Sequence, residues 1–383
     1  MTQSIRPLVK FLVLGVLLVS CAKTTTPVVQ DPLLKDPMVY THWETFNVEQ
    51  GLPHHLVFAV KTHGSDVYFG TENGVAITNR KTKTWSTLPP ESKPGANDGV
   101  AYKVVTSVDI DEDGDAWFGT FKGLTHWDGE TFTNYRWPEG QDPKDPNPKG
   151  LINNVVYGVT HLGDDIWIAT TDGTSQYNKK SGQWKSWYLN NAPMEETWCY
   201  GIAATKEKIW LAAWGSGLME YVVADNHWNA YHDPDGSFTV DLLRNDGMLS
   251  MMSTSASAND EGIVWAASYF GASRYDGKNW RDWDEDHGIP SNFLNSVKAH
   301  GDAGWICTDK GLAGFQNEQW YTYARVEEDG ESYGTITIAD ADGKNGKVYR
   351  TETSIPQNFV WWVDFDEDGG IWVATSDGIA HGT

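Results

Sequence analysis

The chain has 383 residues, with 52 acidic against 29 basic side chains and a formal charge of −23. A surface of that sign repels a phosphate polymer, which excludes nucleic acid as a partner class. The charge serves solubility, with cationic partners or ions as candidate beneficiaries.

Residues 1–20 carry Arg6 and Lys10, then the apolar run FLVLGVLLVS, and Cys21 follows. A positive stretch, a short apolar run and a small residue before the cut make a secretory signal peptide. Ten apolar-leaning residues are too few to span a bilayer as a helix. Leu18-Val19-Ser20-Cys21 resembles a bacterial lipobox, which implies a diacylated Cys21 at the start of the mature chain. Ala22 in the next position, rather than Asp, is similar to cargo of the outer membrane, so an outer-membrane lipoprotein facing either side is expected. Removing residues 1–20 takes away two basic side chains and no acids, which leaves 27 against 52 and a charge of −25. Residues 21–37, with the Thr/Pro-rich stretch AKTTTPVVQDPLLKDP, show no periodicity and read as a flexible tether to a domain at 38–383.

From there the chain repeats itself. A short strand with a central aromatic residue recurs at Tyr68, Trp117, Trp167, Trp210, Trp265, Trp305 and Trp372. A Gly-containing turn follows each (TENG, TFKG, TTDG, WGSG, SYFG, TDKG, TSDG). A third strand comes next, then a fourth with Trp85, Phe132, Trp184, Trp228, Trp280 or Trp320. An inner strand such as KVVTSVDID or NVVYGVTHL precedes each unit. The spacing is that of propeller blades, whose sheets cannot bury both faces alone and must stack radially. Seven second strands meet only six fourth strands. The stretch VYTHWETFN at 39–47 places Trp43 where the missing ring belongs. The expected fold is therefore an all-β, seven-bladed propeller with four-stranded blades, closed by the N-terminal strand near Trp43 pairing with the C-terminal blade. Cys199 and Cys307 fall in non-neighbouring units and are expected as free, mostly buried thiols.

The stretches GIPSNFLNSVKAHGDAGWICTDKGLAGFQNEQW and DIDEDGDAWFGTFKGLTHWDGETF resemble the two-component-regulator propeller repeat of periplasmic bacterial sensors. The resemblance covers nearly all of 38–383 and implies a sensor or binding module. Within the 383 residues no transmembrane segment, kinase or receiver part follows the last repeat, so of the family's roles only binding is expected.

The ring-bearing second and fourth strands read as packing between blades. DIDEDG at 109–114 and DFDEDG at 364–369 begin as a calcium loop begins. Their twelfth positions hold Thr120 and Thr375 rather than Glu, and Asp-Gly favours a primed turn, so turns are expected. DWDEDHG at 282–288 reads as a solvated loop.

Function must come from what the repeat leaves open. The loops leading into the inner strands and those after the second strands gather around the axis on one face. Ring-bearing and amphipathic residues there make a candidate ligand-binding set of His54, His55, Tyr102, Trp198, Trp214, Met251, Tyr269, Phe270 and Trp361. The alternative for these rings is packing that plugs the axis. Two loops exceed what a blade needs: RWPEGQDPKDPNPKG at 136–150, and 324–355 with the strand-like pair GTITIAD and GKVYRTE. There is no nucleophile elbow, H-E-x-x-H, phosphate loop or haem-attachment motif. No cofactor, metal site or catalytic residue is assigned. A small-molecule ligand or an envelope protein is the expected partner. Seven-bladed streptogramin lyases use a histidine and a divalent ion, so a lyase or hydrolase with an axial histidine is the alternative. Strand alternation would point His54 and His55 to opposite sides.

Overall fold

The computed structural model describes residues 27–28, 33–142, 145, 148–235 and 243–383. The signal segment, Cys21 and four residues of the 136–150 loop lie outside them.

Seven antiparallel sheets form; six run in consecutive strand order from the inside outward, and the seventh takes its outermost strand from the N-terminal end of the domain. The inner strands are Val57–His63, Val105–Ile110, Val156–Leu162, Cys199–Ala204, Ser253–Ala258, Leu294–His300 and Val360–Phe365, in blades 1 to 7. The second strands are near-continuous apolar runs, such as Ala116–Thr120 and Lys208–Ala213, because neighbouring blades cover both their faces. Burial follows: Trp117, Trp167, Trp265 and Trp305 are each 1% exposed.

Blade 7 closes as expected. Trp43–Phe46 runs antiparallel to Gly378–Gly382, with Trp43 opposite Gly382 and Phe46 opposite Ile379. The chain reaches that position by crossing blade 6. The Arg350 N–H donates to Pro27 O at 2.8 Å, Tyr321 OH donates to Asp36 Oδ2 at 2.7 Å, and Trp43 N–H donates to Thr353 Oγ1 at 2.6 Å. The segment read as a tether thus contributes residues 27 and 36 to the fold.

The hydrophobic core is divided among seven clusters of described residues, one at each blade-to-blade interface. Fourth strands supply rings to two of them at once. Trp184 packs with Trp117 and Leu124 of blade 2, while Trp187, three residues on, packs with Tyr221 and Trp228 of blade 4. An odd separation on a strand puts the two rings on opposite faces. Trp187 also stacks on Trp167 of its own blade at 5.0 Å. The W-x-x-[aromatic] pattern recurs as WETF, WKSW, WNAY, WRDW and WYTY.

The turn after each second strand is tightly specified. In blade 7 Thr375 Oγ1 donates to Gly378 O at 2.8 Å, and Gly378 has φ +98°. A Cβ there would sit 2.5 Å from Phe46 O of the closing strand, so only glycine fits.

Three details differ from the sequence expectation. Blade 6 has six strands, because the residues read as a long loop continue the sheet as Glu331–Asp340 and Lys347–Thr351. The fourth strand of that blade, Gln319–Glu328, is ten residues long and pairs with the fifth along its whole length. DWDEDHG is not a solvated loop throughout: Asp282 is 1% exposed, and Asp284 caps a short 3-10 helix at Glu285–His287.

The two Asp-rich stretches are hairpin turns whose carboxylates are engaged. Asp111 Oδ1 accepts from the N–H groups of Asp113 and Asp115, and Oδ2 accepts from Trp117 Nε1 and Lys179 Nζ. Asp366 repeats the arrangement with Asp368, Gly370, Trp372 and His381. Cys199 and Cys307 are free and buried, and burial pushes the Cys307 thiol up to about 12 and Cys199 well above its ordinary value.

Trp43→Ala removes a ring that is 4% exposed from the cluster shared by blades 6 and 7. We expect a loss of about 3–5 kcal/mol in urea denaturation, the range for buried aromatic truncations. A loss below about 1 kcal/mol would show that the closing strand is held by its backbone pairing alone.

Candidate functional site

Every inner strand carries a bulge at its second residue. The register shifts between Val57 and Ala59, Val105 and Ser107, Val156 and Gly158, and likewise in blades 4 to 7. The residues so displaced are Phe58, Thr106, Tyr157, Tyr200, Thr254, Asn295 and Trp361. A bulge leaves one residue unpaired and re-aims its side chain. Here all seven turn toward the axis and line one cavity of about 300 Å3 with Phe121, Tyr269, Phe293, Leu294, Phe359 and Trp362.

The three non-aromatic polar members each donate to a neighbouring blade. Thr106 Oγ1 donates to Val156 O at 2.7 Å, Thr254 Oγ1 to Leu294 O at 3.0 Å, and Asn295 Nδ2 to Val360 O at 2.7 Å. Each reaches the carbonyl just before the bulge of the next blade. The oxygen lone pairs of Thr106, Thr254 and Asn295 remain as acceptors.

The rings in and beside the cavity run in two arcs. One passes from Phe121 to Tyr157 (5.7 Å), Tyr200 (4.7 Å), Trp214 (6.0 Å), Tyr269 (4.7 Å) and Phe293 (4.5 Å). The other joins Phe359, Trp361 and Phe58 at 4.9 and 5.2 Å. Burial, then the neighbouring Tyr157 and Tyr269, pushes the Tyr200 hydroxyl up to about 12, and burial followed by Tyr269 raises Tyr157. Both stay protonated at neutral pH. Phe121, Tyr269, Phe293 and Trp198 are 37%, 37%, 36% and 51% exposed, an uncommon concentration of open rings on one face.

Below the rings the same inner strands carry charges of alternating sign. Lys298 Nζ lies 2.8 Å from Asp364, and Lys61 Nζ lies 2.7 Å from Asp109. Asp364 also accepts from Thr62 N–H, and Asp109 from the N–H and the imidazole of His161. Burial alone would raise the Asp109 carboxyl and lower the Lys61 ammonium. The opposite charges outweigh it, holding Asp109 at about 2 and Lys61 above its usual range. His161 is raised, by its hydrogen bond to Asp109 against the pull of burial. This layer neutralises itself and stitches blades 6, 7, 1, 2 and 3 together.

The structure places the residues chosen from sequence unevenly. Tyr269 and Trp361 line the cavity, and Trp214 and Trp198 flank it through contacts with Tyr200. Tyr102 is half-buried, with Lys122 Nζ 4.5 Å from its ring centroid. Phe270 is half-buried, and its N–H donates to Ser268 Oγ. Met251 is 7% exposed, and its carbonyl accepts from the N–H groups of Gly215 and Gly217. His54 and His55 lie in a loop before the strand, and their rings stack at 4.3 Å, so strand alternation does not apply to them. Sequence reasoning missed Phe58, Tyr157, Tyr200, Phe293 and Phe359. Phe58, Tyr157 and Tyr200 share the second inner-strand position, but alternation along a paired strand assigns that position to a face between blades.

His161 gives a pH-dependent prediction. A raised imidazole contributes stability that is fully present below the ordinary value of about 6.5 and fades as pH rises through the raised one. His161→Gln should therefore lower the melting temperature more at pH 6 than at pH 9. Equal losses at the two pH values in thermal melts would remove the imidazolium from the account.

No known protein family matches the chain, and no curated protein sequence does. Solved structures share its shape. The extracellular domain assigned to the hybrid two-component system BT3049 of B. thetaiotaomicron has a TM-score of 0.65 at 17% identity over 90% of this chain. The chain spans 42% of that longer protein. A streptogramin B lyase gives 0.61 at 14% identity, covering 90% of this chain and 98% of the lyase. YCF48, solved bound to D1 peptide, gives 0.54 at 13% identity, covering 94% and 97%. At such identities the likeness establishes the propeller fold.

Proposed function

We propose that this protein is a non-enzymatic binding propeller of the bacterial cell envelope, taking a small ligand or a segment of a protein partner at the ring-lined mouth. One observation carries the reading: seven bulges aim seven side chains at a single cavity whose thirteen lining residues include no ionisable group stronger than a tyrosine hydroxyl. Such a wall offers apolar area and a few polar anchors, which suits recognition. General acid–base work would need a group titrating near neutrality. The stacked His54–His55 pair is the nearest candidate for the alternative, a lyase or hydrolase with a divalent ion, and neither histidine lines the cavity. BT3049, by its description the extracellular domain of a hybrid two-component system, and YCF48, solved with D1 peptide bound, lend the binding reading support by analogy of fold only.

Thermal-shift screening of envelope-exposed small molecules and peptides tests the site. A ligand that raises the melting temperature should lose at least tenfold in affinity in Tyr200→Ala and Trp361→Leu. Unchanged affinity in both folded variants would move binding away from the mouth.

Attachment is proposed through a diacylated Cys21, six residues before Pro27 docks on blade 6. Cys21→Ser should shift the protein from the membrane fraction to the soluble fraction and abolish metabolic labelling with palmitate. Retention of label would assign the lipid elsewhere or refute it.

A further inference from the structure

Resting on that reading of the mouth, we infer that its guest is an organic cation, an ammonium or guanidinium group carried on an apolar stem. The first ground is the hydrogen-bond sense of the wall. Thr106 and Thr254 have given their only donors to Val156 and Leu294, and Asn295 has given one of its two N–H groups to Val360, so all three hold oxygen lone pairs free to accept. A guest that brings donors can use these oxygens.

The second ground is the wall itself. Nine of the thirteen lining residues are aromatic, and Leu294 is the single aliphatic one. Rings present electron-rich faces that attract a cation, an attraction that grows once water is excluded. Pairs set at steep angles, such as Trp214 with Tyr269 at 83° and Phe58 with Trp361 at 70°, face more than one direction at once, as a cage for a compact charge requires.

The third ground is the charge around the opening. The turns that crown it carry Asp172, Asp309 and Asp377, none of which pairs with a cation among the described residues, and Asp309 Oδ1 is shielded from solvent without a hydrogen-bond partner. The lysines of the same rim are engaged: Lys103 with Glu72, Lys310 with Glu285, and Lys122 over the Tyr102 ring. Blade 6 adds an acidic prong. Its fourth strand pairs with the third only as far as Tyr323, and Ala324–Glu328 continue past the mouth-side turn at Gly311. Five residues at about 3.3 Å each carry the hairpin tip, with Glu327, Glu328, Asp329 and Glu331, roughly 16 Å beyond the face. The field at the mouth therefore draws cations inward, in line with the net charge of −23. A cavity of about 300 Å3 lies at the lower end of ligand sites and suits one such group rather than a large ligand.

The test uses matched probes that differ in charge. Binding is read by calorimetry and by quenching of tryptophan fluorescence at pH 7 and low salt. One arm compares 4-phenylbutylamine with 4-phenylbutanol. The other compares an apolar octapeptide carrying one arginine with the same peptide carrying citrulline. At least a fivefold preference for the charged member in either arm, reduced by 0.5 M salt and lost in Trp361→Leu, supports the inference, and the arm that shows it identifies a free or a peptide-borne source. Tyr200→Phe, which keeps the ring and removes a hydroxyl able to accept from the guest, should weaken the amine by two- to fivefold and so guards against misfolding of the larger change. Equal affinity for charged and neutral probes, still sensitive to Trp361→Leu, overturns the cation while leaving the mouth as a binding site. No binding of any probe at millimolar concentration overturns both.

Discussion

The pairing of Trp43–Phe46 with Gly378–Gly382 is the interaction on which the rest of the structure depends. Without it blade 7 would end on an open edge and the first and last blades would be joined only through side chains. With it, every blade is packed on two neighbours and no inner strand can move without disturbing an interface. The closing strand is drawn to its place by the chain before it. Tyr40 and Trp43 pack into the cluster shared by blades 6 and 7, where Tyr323 receives the Tyr40 N–H and donates to Met38 O.

Closure explains why the core has no centre. Seven clusters, each between two sheets, replace the single interior of a sandwich, and the tryptophan-rich composition follows from filling wedge-shaped gaps with large flat rings. The axis is left for other uses. Near one end, inner-strand charges cancel in the sequence Lys298, Asp364, Lys61, Asp109, and their hydrogen bonds to the next strand's backbone tie the blades together. Toward the mouth the bulges open, and the wall becomes aromatic.

This division separates stability from recognition along a single strand. In blade 2, Thr106 faces the cavity while Asp109, three residues on, binds Lys61 and His161 of the flanking blades. In blade 7, Trp361 lines the mouth and Asp364 serves the ladder. Side chains at the mouth can therefore change from blade to blade while the ladder beneath keeps the ring together. A rigid frame with a variable mouth is the physical basis for the binding role argued above.

Blade number, strand order and closure were legible in the sequence, because rings and Gly turns recur at fixed intervals and the unmatched Trp43 supplied the missing strand. The free state of both thiols followed from their place in non-neighbouring units. Of the mouth, Tyr269 could be picked out, since a ring on a loop has no place in a repeat, and Trp361 because its stretch IPQNFVWW reads as part of an entry loop, although the structure puts it on the inner strand. Phe58, Tyr157 and Tyr200 could not. Alternation along a strand assigns them to a face between blades, and only the bulge turns them to the axis. A bulge belongs to the pairing of two strands, set by how a twisted inner strand meets its neighbour near the axis, and so the tertiary structure alone decided which side chains meet there.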